Sequence, residues 1–185
     1  FNLLENARLN DAMFVFTSTN KVYGDNVNKI PRIEKETRYE YQDCDGIDEN
    51  FPIDQSGHTP YGISKLAADL YTQDYHYTYG LKTGVFRMSC IYGEGQLGIE
   101  DQGWVAWFAI ANLLGKTITI YGNGKQVRDL LHVEDLCKAF ESFITKEDVK
   151  HGVYNLGGGK NNTCSLIELL DMLEDITHKK TNIIY

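Results

Sequence analysis

Apolar positions along the chain alternate between short unbroken runs and stripes spaced three to four residues apart, the pattern of strands interleaved with helices. Leu3, Leu4, Ala7 and Leu9 fall on roughly one face of a helix covering Phe1 to Asn10. Met13-Phe14-Val15-Phe16 is an unbroken apolar run, which predicts a strand buried on both faces of a parallel sheet. Thr17, Ser18 and Thr19 then lie at its carboxyl end, where open α/β sheets place their ligands. Asp25 to Gly57 is polar and long for a connection, as functional loops are.

Thr59 is placed to cap the next helix, with Pro60 at its first position and Gly80 as its stop. Leu66, Ala67, Leu70 and Tyr71 form its expected buried stripe. Thr83 to Met88 reads as a second buried strand, Trp104 to Leu114 as a helix stopped by Gly115, and Thr117 to Tyr121 as a short strand before Gly122-Asn123-Gly124. Val133 to Ile144 is helical, and Gly152 to Leu156 is a strand ending in three glycines. Ser165 with Glu168 makes a capping box for a helix reaching about Thr177, and Thr181 to Tyr185 reads as a last strand. The sum is a mostly parallel α/β sheet.

A chain of 185 residues with 42% hydrophobic and 12% aromatic content can bury a sizeable interior. Trp104 to Leu114, its longest apolar stretch, is too short to span a bilayer and carries Asn112. The net charge of −8 argues against a nucleic-acid footprint. That charge is local: residues 25–56 hold nine Asp and Glu against four Lys and Arg, and the nearly balanced remainder leaves an anionic small substrate open. Four widely spaced cysteines with no C-x-x-C pair predict a reduced, cytoplasmic chain, and five histidines without ligand spacing predict no metal site.

The candidate chemistry sits at Tyr61-Gly62-Ile63-Ser64-Lys65, 42 positions after Thr19. A tyrosine and a lysine four residues apart share one helix face. The ammonium favours the phenolate, drawing a pKa of about 10 toward neutrality. With a hydroxyl residue at a strand end, this makes a proton-transfer device for alcohol oxidation and reduction; alone, the same spacing also describes an ordinary surface pair.

Four further segments accompany the tyrosine helix. Phe16 to Gly24 surrounds the hydroxyl residues, Arg87 to Gly93 follows the second strand, Arg128-Asp129-Leu130-Leu131-His132-Val133-Glu134-Asp135 lies further on, and Tyr154 to Gly158 comes last. In this order the five motifs resemble the extended short-chain dehydrogenase/reductase family of sugar-nucleotide epimerases and dehydratases. The resemblance implies the carboxyl half of a doubly wound, Rossmann-type parallel sheet, residues 1–90 and 127–148. Part of a small substrate-binding α/β domain, residues 91–126 and 149–185, completes the expected division. It also implies NAD as cofactor, a nucleotide-diphosphate sugar as substrate, and a homodimer.

By that resemblance Tyr61 removes a sugar hydroxyl proton, Lys65 assists it and bonds the nicotinamide ribose, and Thr19 orients the reacting hydroxyl. Thr17, Ser18, Met88 and Cys90 join Tyr61 and Lys65 around the cofactor, while Asn20, Lys21, Cys90 and Arg128 face the substrate. Dehydratases of the family carry Asp-Glu after the hydroxyl residue; Asn20 and Lys21 stand there instead, so the acid and base for eliminating water are missing. Thr17 to Gly24, Gly46 to Asp54 and Gly124 to Asp129 resemble a narrower branch of the family, which implies inversion at C2 of a CDP-activated 3,6-dideoxyhexose.

Arg128 is either a diphosphate ligand, its fork matching phosphate oxygens, or a structural partner of Asp129 or Glu134. Arg87 is a structural ion pair or a ligand contact. Cys90 is a small residue beside the nicotinamide rather than a nucleophile. The Glu94 to Gly103 loop is expected to border the sugar. Tyr71, Tyr75 and Tyr79 recur at spacing four, for core packing or for a dimer interface. No Gly-x-x-Gly-x-x-Gly turn occurs, so the chain is expected to be a fragment lacking the pyrophosphate-binding half. The rival expectations are a non-catalytic sugar-nucleotide-binding or dimerising module, which NAD titration separates from an enzyme, and an oxidoreductase or epimerase acting on another nucleotide sugar.

Overall fold

The computed structural model describes residues 1–185. In chain order the elements are α1 (Asn2–Leu9), β1 (Phe14–Thr19), a 3-10 segment (Asn20–Lys29), β2 (Arg32–Glu34), β3 (Tyr39–Tyr41), α2 (Pro60–Tyr79), β4 (Thr83–Met88) and β5 (Cys90–Tyr92). There follow α3 (Trp104–Leu114), β6 (Thr117–Thr119), β7 (Val127–His132), α4 (Val133–Thr145), β8 (His151–Leu156), β9 (Thr163–Ser165), α5 (Leu166–Thr177) and β10 (Asn182–Ile184). Two compact units result. One comprises 1–30, 47–89 and 135–156; the other comprises 31–46, 90–134 and 157–185.

The first unit is built on an all-parallel sheet in the order β1-β4-β8, with Thr19 beside Met88 and Phe86 beside Tyr154. Alternation along β4 assigns its two faces. Arg87 points toward Asp69 of α2, whereas Phe86 packs edge-on against Phe140 and Phe143 of α4, so helices cover both faces. Gly84 sits under the Phe143 ring, where a Cβ would come within 2.7 Å of it; the absent side chain is what lets α4 lie down. β1 was expected to be buried on both faces, but Phe14 to Phe16 are only half-buried, because β1 flanks the three-stranded sheet and β4 is its centre.

The capping signals of α2 are realised: Thr59 Oγ1 accepts from the Gly62 amide at 3.1 Å, and Gly80 ends the helix at φ +71°. Its buried stripe is a correction. Leu66, Asp69, Thr72 and Tyr75 face inward, while Leu70 and Tyr71 are exposed. Leu66 alone survives from the expected apolar stripe, because a polar network claims the inner face one residue round from Leu70. Of the three tyrosines at spacing four, Tyr75 is core, against Leu4, Ala7 and Leu81, and Tyr71 and Tyr79 face outward.

The second unit centres on Phe108, Ala111, Ile118, Ile120, Cys164, Leu169 and Leu170. Here β5 pairs parallel and β9 antiparallel with β7, β10 lies parallel to β6, and β2–β3 is an antiparallel hairpin. The Ser165–Glu168 capping box is complete, and Gly115 ends α3 at φ +66°. Burial pushes the Cys164 thiol up to about 11, with Glu168 adding to it.

Strand pairing and side-chain contacts account for the membership of three segments in these units. β8 belongs to the first because it continues the β4 ladder, β7 to the second because its partners are β5 and β9, and residues 31–46 to the second because Lys125, Thr163 and Glu168 hold them there. No helix is long and apolar enough to cross a membrane.

α1 is anchored on α2 by charge as well as by packing. Glu5 accepts from Arg8 at 3.1 and 2.9 Å and from the Tyr75 hydroxyl at 2.6 Å. Arg8 first, then Tyr75, holds the Glu5 carboxyl down at about 2, and the same bond pushes Tyr75 up to about 12. A carboxyl depressed in the folded state stabilises fully above its ordinary pKa and loses that contribution as pH falls through the folded one. The Glu5 contribution is therefore expected to vanish as pH drops from about 4.5 toward 2, followed by the carboxyl shift in an NMR titration. Arg8→Met should move the midpoint back up; an unchanged midpoint contradicts the assignment.

Candidate active site

The carboxyl edge of the parallel sheet gathers most of the predicted residues of the first unit. Thr17 is exposed at the end of β1, Ser18 and Thr19 are buried, and Met88 is half-buried beside Thr19. The chain cannot continue as a strand past Thr19. Its hydroxyl accepts from the Lys21 amide at 3.3 Å, capping the 3-10 segment, and contacts Asn20 Oδ1 at 3.4 Å. This cap turns Asn20 and Lys21 away from the ladder, with Asn20 half-buried and Lys21 exposed.

Tyr61 and Lys65 occupy the first turns of α2, as their spacing requires. Tyr61 is 55% exposed, so its phenol is open to a ligand. The Lys65 ammonium donates to the Thr17 carbonyl at 2.8 Å and lies 5.1 Å over the Phe16 ring. A lysine on the helix is thereby tied to the strand end, which fixes its charge at the sheet edge.

Beneath this edge runs a buried network that sequence reasoning did not find. Asp69, fully buried on α2, receives a two-pronged contact from Arg87, Nε at 3.0 Å and NH2 at 3.1 Å, and a 2.6 Å bond from the Ser18 hydroxyl. Arg87 also donates to the Tyr23 hydroxyl at 3.2 Å, which in turn donates to Asn155 Oδ1 at 2.6 Å. Burial pushes the Tyr23 phenol up against the pull of Arg87, keeping it a donor. Ile47 and Glu49 close the chain over Asn155, their carbonyl and carboxylate accepting at 2.9 and 2.6 Å. Of the two readings of Arg87, the structural ion pair is the one observed. The available signal was an aspartate at helical spacing from Leu66, inside a stripe that ought to have been apolar.

In the second unit Cys90 is half-buried and pairs with Leu130 of β7, two residues from Arg128. The Arg128 guanidinium is steadied from its own strand, donating to the Val127 carbonyl at 3.0 Å and to Gln126 Oε1 at 2.7 Å. Neither Asp129 nor Glu134 forms a salt bridge with it; Asp129 instead accepts from the Gly158 amide at 3.3 Å, and Glu134 lies 3.9 Å from His132.

A phenol, an ammonium and a strand-end hydroxyl along one open sheet edge fit the nicotinamide-ribose end of a dinucleotide. The pyrophosphate end has no glycine-rich turn among these residues. No cluster of metal-ligating side chains is present.

Comparison with known proteins supplies the family. The NAD-dependent epimerase/dehydratase family matches residues 1–157. The chain belongs to this family. CDP-paratose 2-epimerase of Salmonella typhi is 44% identical over 183 residues, covering 94% of this chain and 53% of that protein. Among solved structures, dTDP-glucose 4,6-dehydratase of Bacillus anthracis with NAD aligns at TM-score 0.76 and 31% identity, over 99% of this chain and 52% of that one. UDP-glucose 4-epimerase of Thermotoga maritima with UDP-glucose aligns at 0.74 and 28%, over 98% and 53%. The chain thus spans about half the length of the relatives it matches. These neighbours make its parallel sheet a Rossmann-type one, as the motif order predicted.

The Asp69–Arg87 pair supports this sheet edge. Asp69→Ala is expected to cost about 3–5 kcal/mol in chemical denaturation, because it strands a buried guanidinium. Asp69→Leu combined with Arg87→Met should recover more than half of that loss. A single-variant loss below about 1 kcal/mol would show that the pair is not holding the edge.

Proposed function

We propose that these residues form the catalytic edge of an NAD-dependent epimerase acting on a nucleotide-activated sugar, inverting C2 of a CDP-dideoxyhexose through a transient keto sugar. The observation that carries the reading is the joint placement of Tyr61, Lys65 and Thr19 at the sheet edge with Asn20 and Lys21 immediately after. The 44% identity to CDP-paratose 2-epimerase supports the choice of sugar carbon and nucleotide.

In this reading Tyr61, exposed at the start of α2, takes the proton of the reacting hydroxyl and later returns it. Lys65 supplies positive charge one turn away and, tied to the Thr17 carbonyl, holds the ribose of the dinucleotide. Thr19 orients the hydroxyl. Thr17, Ser18 and Met88 of the first unit and Cys90 of the second would hold NAD, which would supply the hydride acceptor and donor for the reacting carbon. Ser18 contributes through its backbone, since its hydroxyl is committed to Asp69. Arg128 holds the substrate diphosphate, with Asn20, Lys21 and Cys90 also on the substrate side. With an amide and an ammonium at positions 20 and 21, no carboxylic acid stands there to protonate a leaving hydroxyl, which disfavours dehydration.

Two statements complete the proposal. Four free cysteines fit a reducing compartment such as the cytoplasm. Ala67, Leu70, Tyr71 and Asp74 form a shallow, largely apolar hollow on the outer face of α2, which supports self-association there. Sedimentation equilibrium should report a dimer that Tyr71→Glu dissociates; a monomer at every concentration removes that part of the proposal.

The catalytic part is tested in a polypeptide joining these residues to a glycine-rich dinucleotide-binding half. Tyr61→Phe is expected to lower kcat by roughly a hundredfold or more while leaving the NAD affinity unchanged. Turnover within a factor of about three of the parent would refute the general-base role.

A further inference from the structure

Residues 31–46 interrupt the chain between Thr19 and Tyr61, yet they belong to the unit that carries Arg128. Their hairpin pairs Arg32 with Tyr41, Ile33 with Glu40, and Glu34 with Tyr39. Directly opposed residues share a face, so Arg32, Glu34, Tyr39 and Tyr41 make one side of the ribbon. A two-stranded ribbon this short does not hold its shape alone. It is held by the segment just before Arg128. Lys125 Nζ donates to Glu34 Oε1 at 2.7 Å and to the Lys35 carbonyl at 3.1 Å. Asn123 Nδ2 donates to the Tyr39 hydroxyl at 2.8 Å, and the Tyr39 amide donates to the Lys125 carbonyl at 3.0 Å. From the ribbon's turn, Arg38 donates to Thr163 Oγ1 at 2.6 Å.

This anchoring accounts for Glu34 and Tyr39 and leaves the other two members of the face, Arg32 and Tyr41, without such partners. Arg32 lies 5.4 Å over the Tyr39 ring, which preorganises its guanidinium without neutralising it. Burial pushes the Tyr41 phenol up, against the pull of Arg128 and Arg32. Neither arginine is in a salt bridge with a carboxylate, in a chain whose hairpin segment is otherwise strongly acidic. A guanidinium and a phenol on the hairpin, anchored by the segment that leads into Arg128 on β7, match an anion with several oxygens.

We propose that the hairpin is part of the substrate site, with Arg32 and Tyr41 contacting the diphosphate of the nucleotide sugar alongside Arg128. The inference rests on the reading of Arg128 given above and extends it to two residues outside every motif of the family. A dinucleotide cofactor also carries a diphosphate, so the test must separate the two.

A polypeptide joining this chain to a glycine-rich dinucleotide-binding half is titrated with CDP and, separately, with NAD, by calorimetry. Arg32→Ala is expected to weaken CDP binding roughly tenfold and Tyr41→Phe about threefold, with Arg32→Lys intermediate and NAD binding unmoved. Both side chains are exposed, and Tyr41→Phe keeps the ring, so the fold is not at stake. If Arg128→Ala weakens CDP binding while Arg32→Ala and Tyr41→Phe leave it unchanged, the hairpin proposal falls and the reading of Arg128 stands. If Arg128→Ala has no effect, or CDP fails to bind at millimolar concentration, the diphosphate reading falls and takes the hairpin with it. If the hairpin variants weaken NAD rather than CDP, the anion site belongs to the dinucleotide and the proposal is overturned.

Discussion

Asp69 and Arg87 are both withdrawn from water, and everything at the sheet edge depends on their remaining paired. A buried charge without a partner is tolerated only at a cost of several kcal/mol. The pair therefore ties α2 to β4, and through the Ser18 hydroxyl it ties the end of β1 to the same helix. Lys65 adds a second tie between the same helix and strand, at the Thr17 carbonyl. With helix and strand locked twice, Tyr61 emerges at a fixed place relative to Thr19, which is what a proton-transfer site requires. Tyr23 and Asn155 carry the network on to β8, and residues 47–49 cover it.

The second unit meets a different constraint. Its apolar core is assembled from α3, α5 and the short strands around β6 and β7, and its polar side chains mostly serve to hold an inserted ribbon. The acidity of residues 25–56, read from composition as a local feature, proves to be structural in part: Glu34 meets Lys125 and Asp45 meets Lys160. What composition hides is the positive side of the same ribbon, where Arg32 stands opposite Tyr41.

Elements whose ends are fixed by local chemistry were legible from sequence. Thr59 with Pro60, Gly80, Gly115 and the Ser165–Glu168 box each name a helix boundary without help from distant contacts. That β1, β4 and β8 run parallel followed from alternation with helices; their order in the sheet did not. What escaped was decided by tertiary contacts. The inner face of α2 was misread because Asp69 and Thr72 are polar yet buried, and their burial depends on Arg87 and other residues remote in sequence. β7 was not read as a strand because Arg128 and Asp129 break the apolar pattern, and the β2–β3 hairpin lies in a segment too polar to signal strands. Tyr61, Lys65 and Thr19 stand out in sequence because their spacing puts two on one helix face and the third at a strand end; Asp69, Tyr23 and Asn155 come together only through folded contacts and leave no spacing to find.

Family membership admits both epimerases and dehydratases, and the account separates them on Asn20 and Lys21. The most direct test runs the reaction in deuterated water, using a polypeptide that joins these residues to a dinucleotide-binding half. A hydrogen that leaves carbon as hydride and returns to it never equilibrates with solvent, whereas elimination begins by losing a carbon-bound proton to a base. The account predicts inverted sugar retaining its hydrogen at C2 and carrying no solvent deuterium. Deuterium on the sugar carbons, or a dehydrated product, would contradict it.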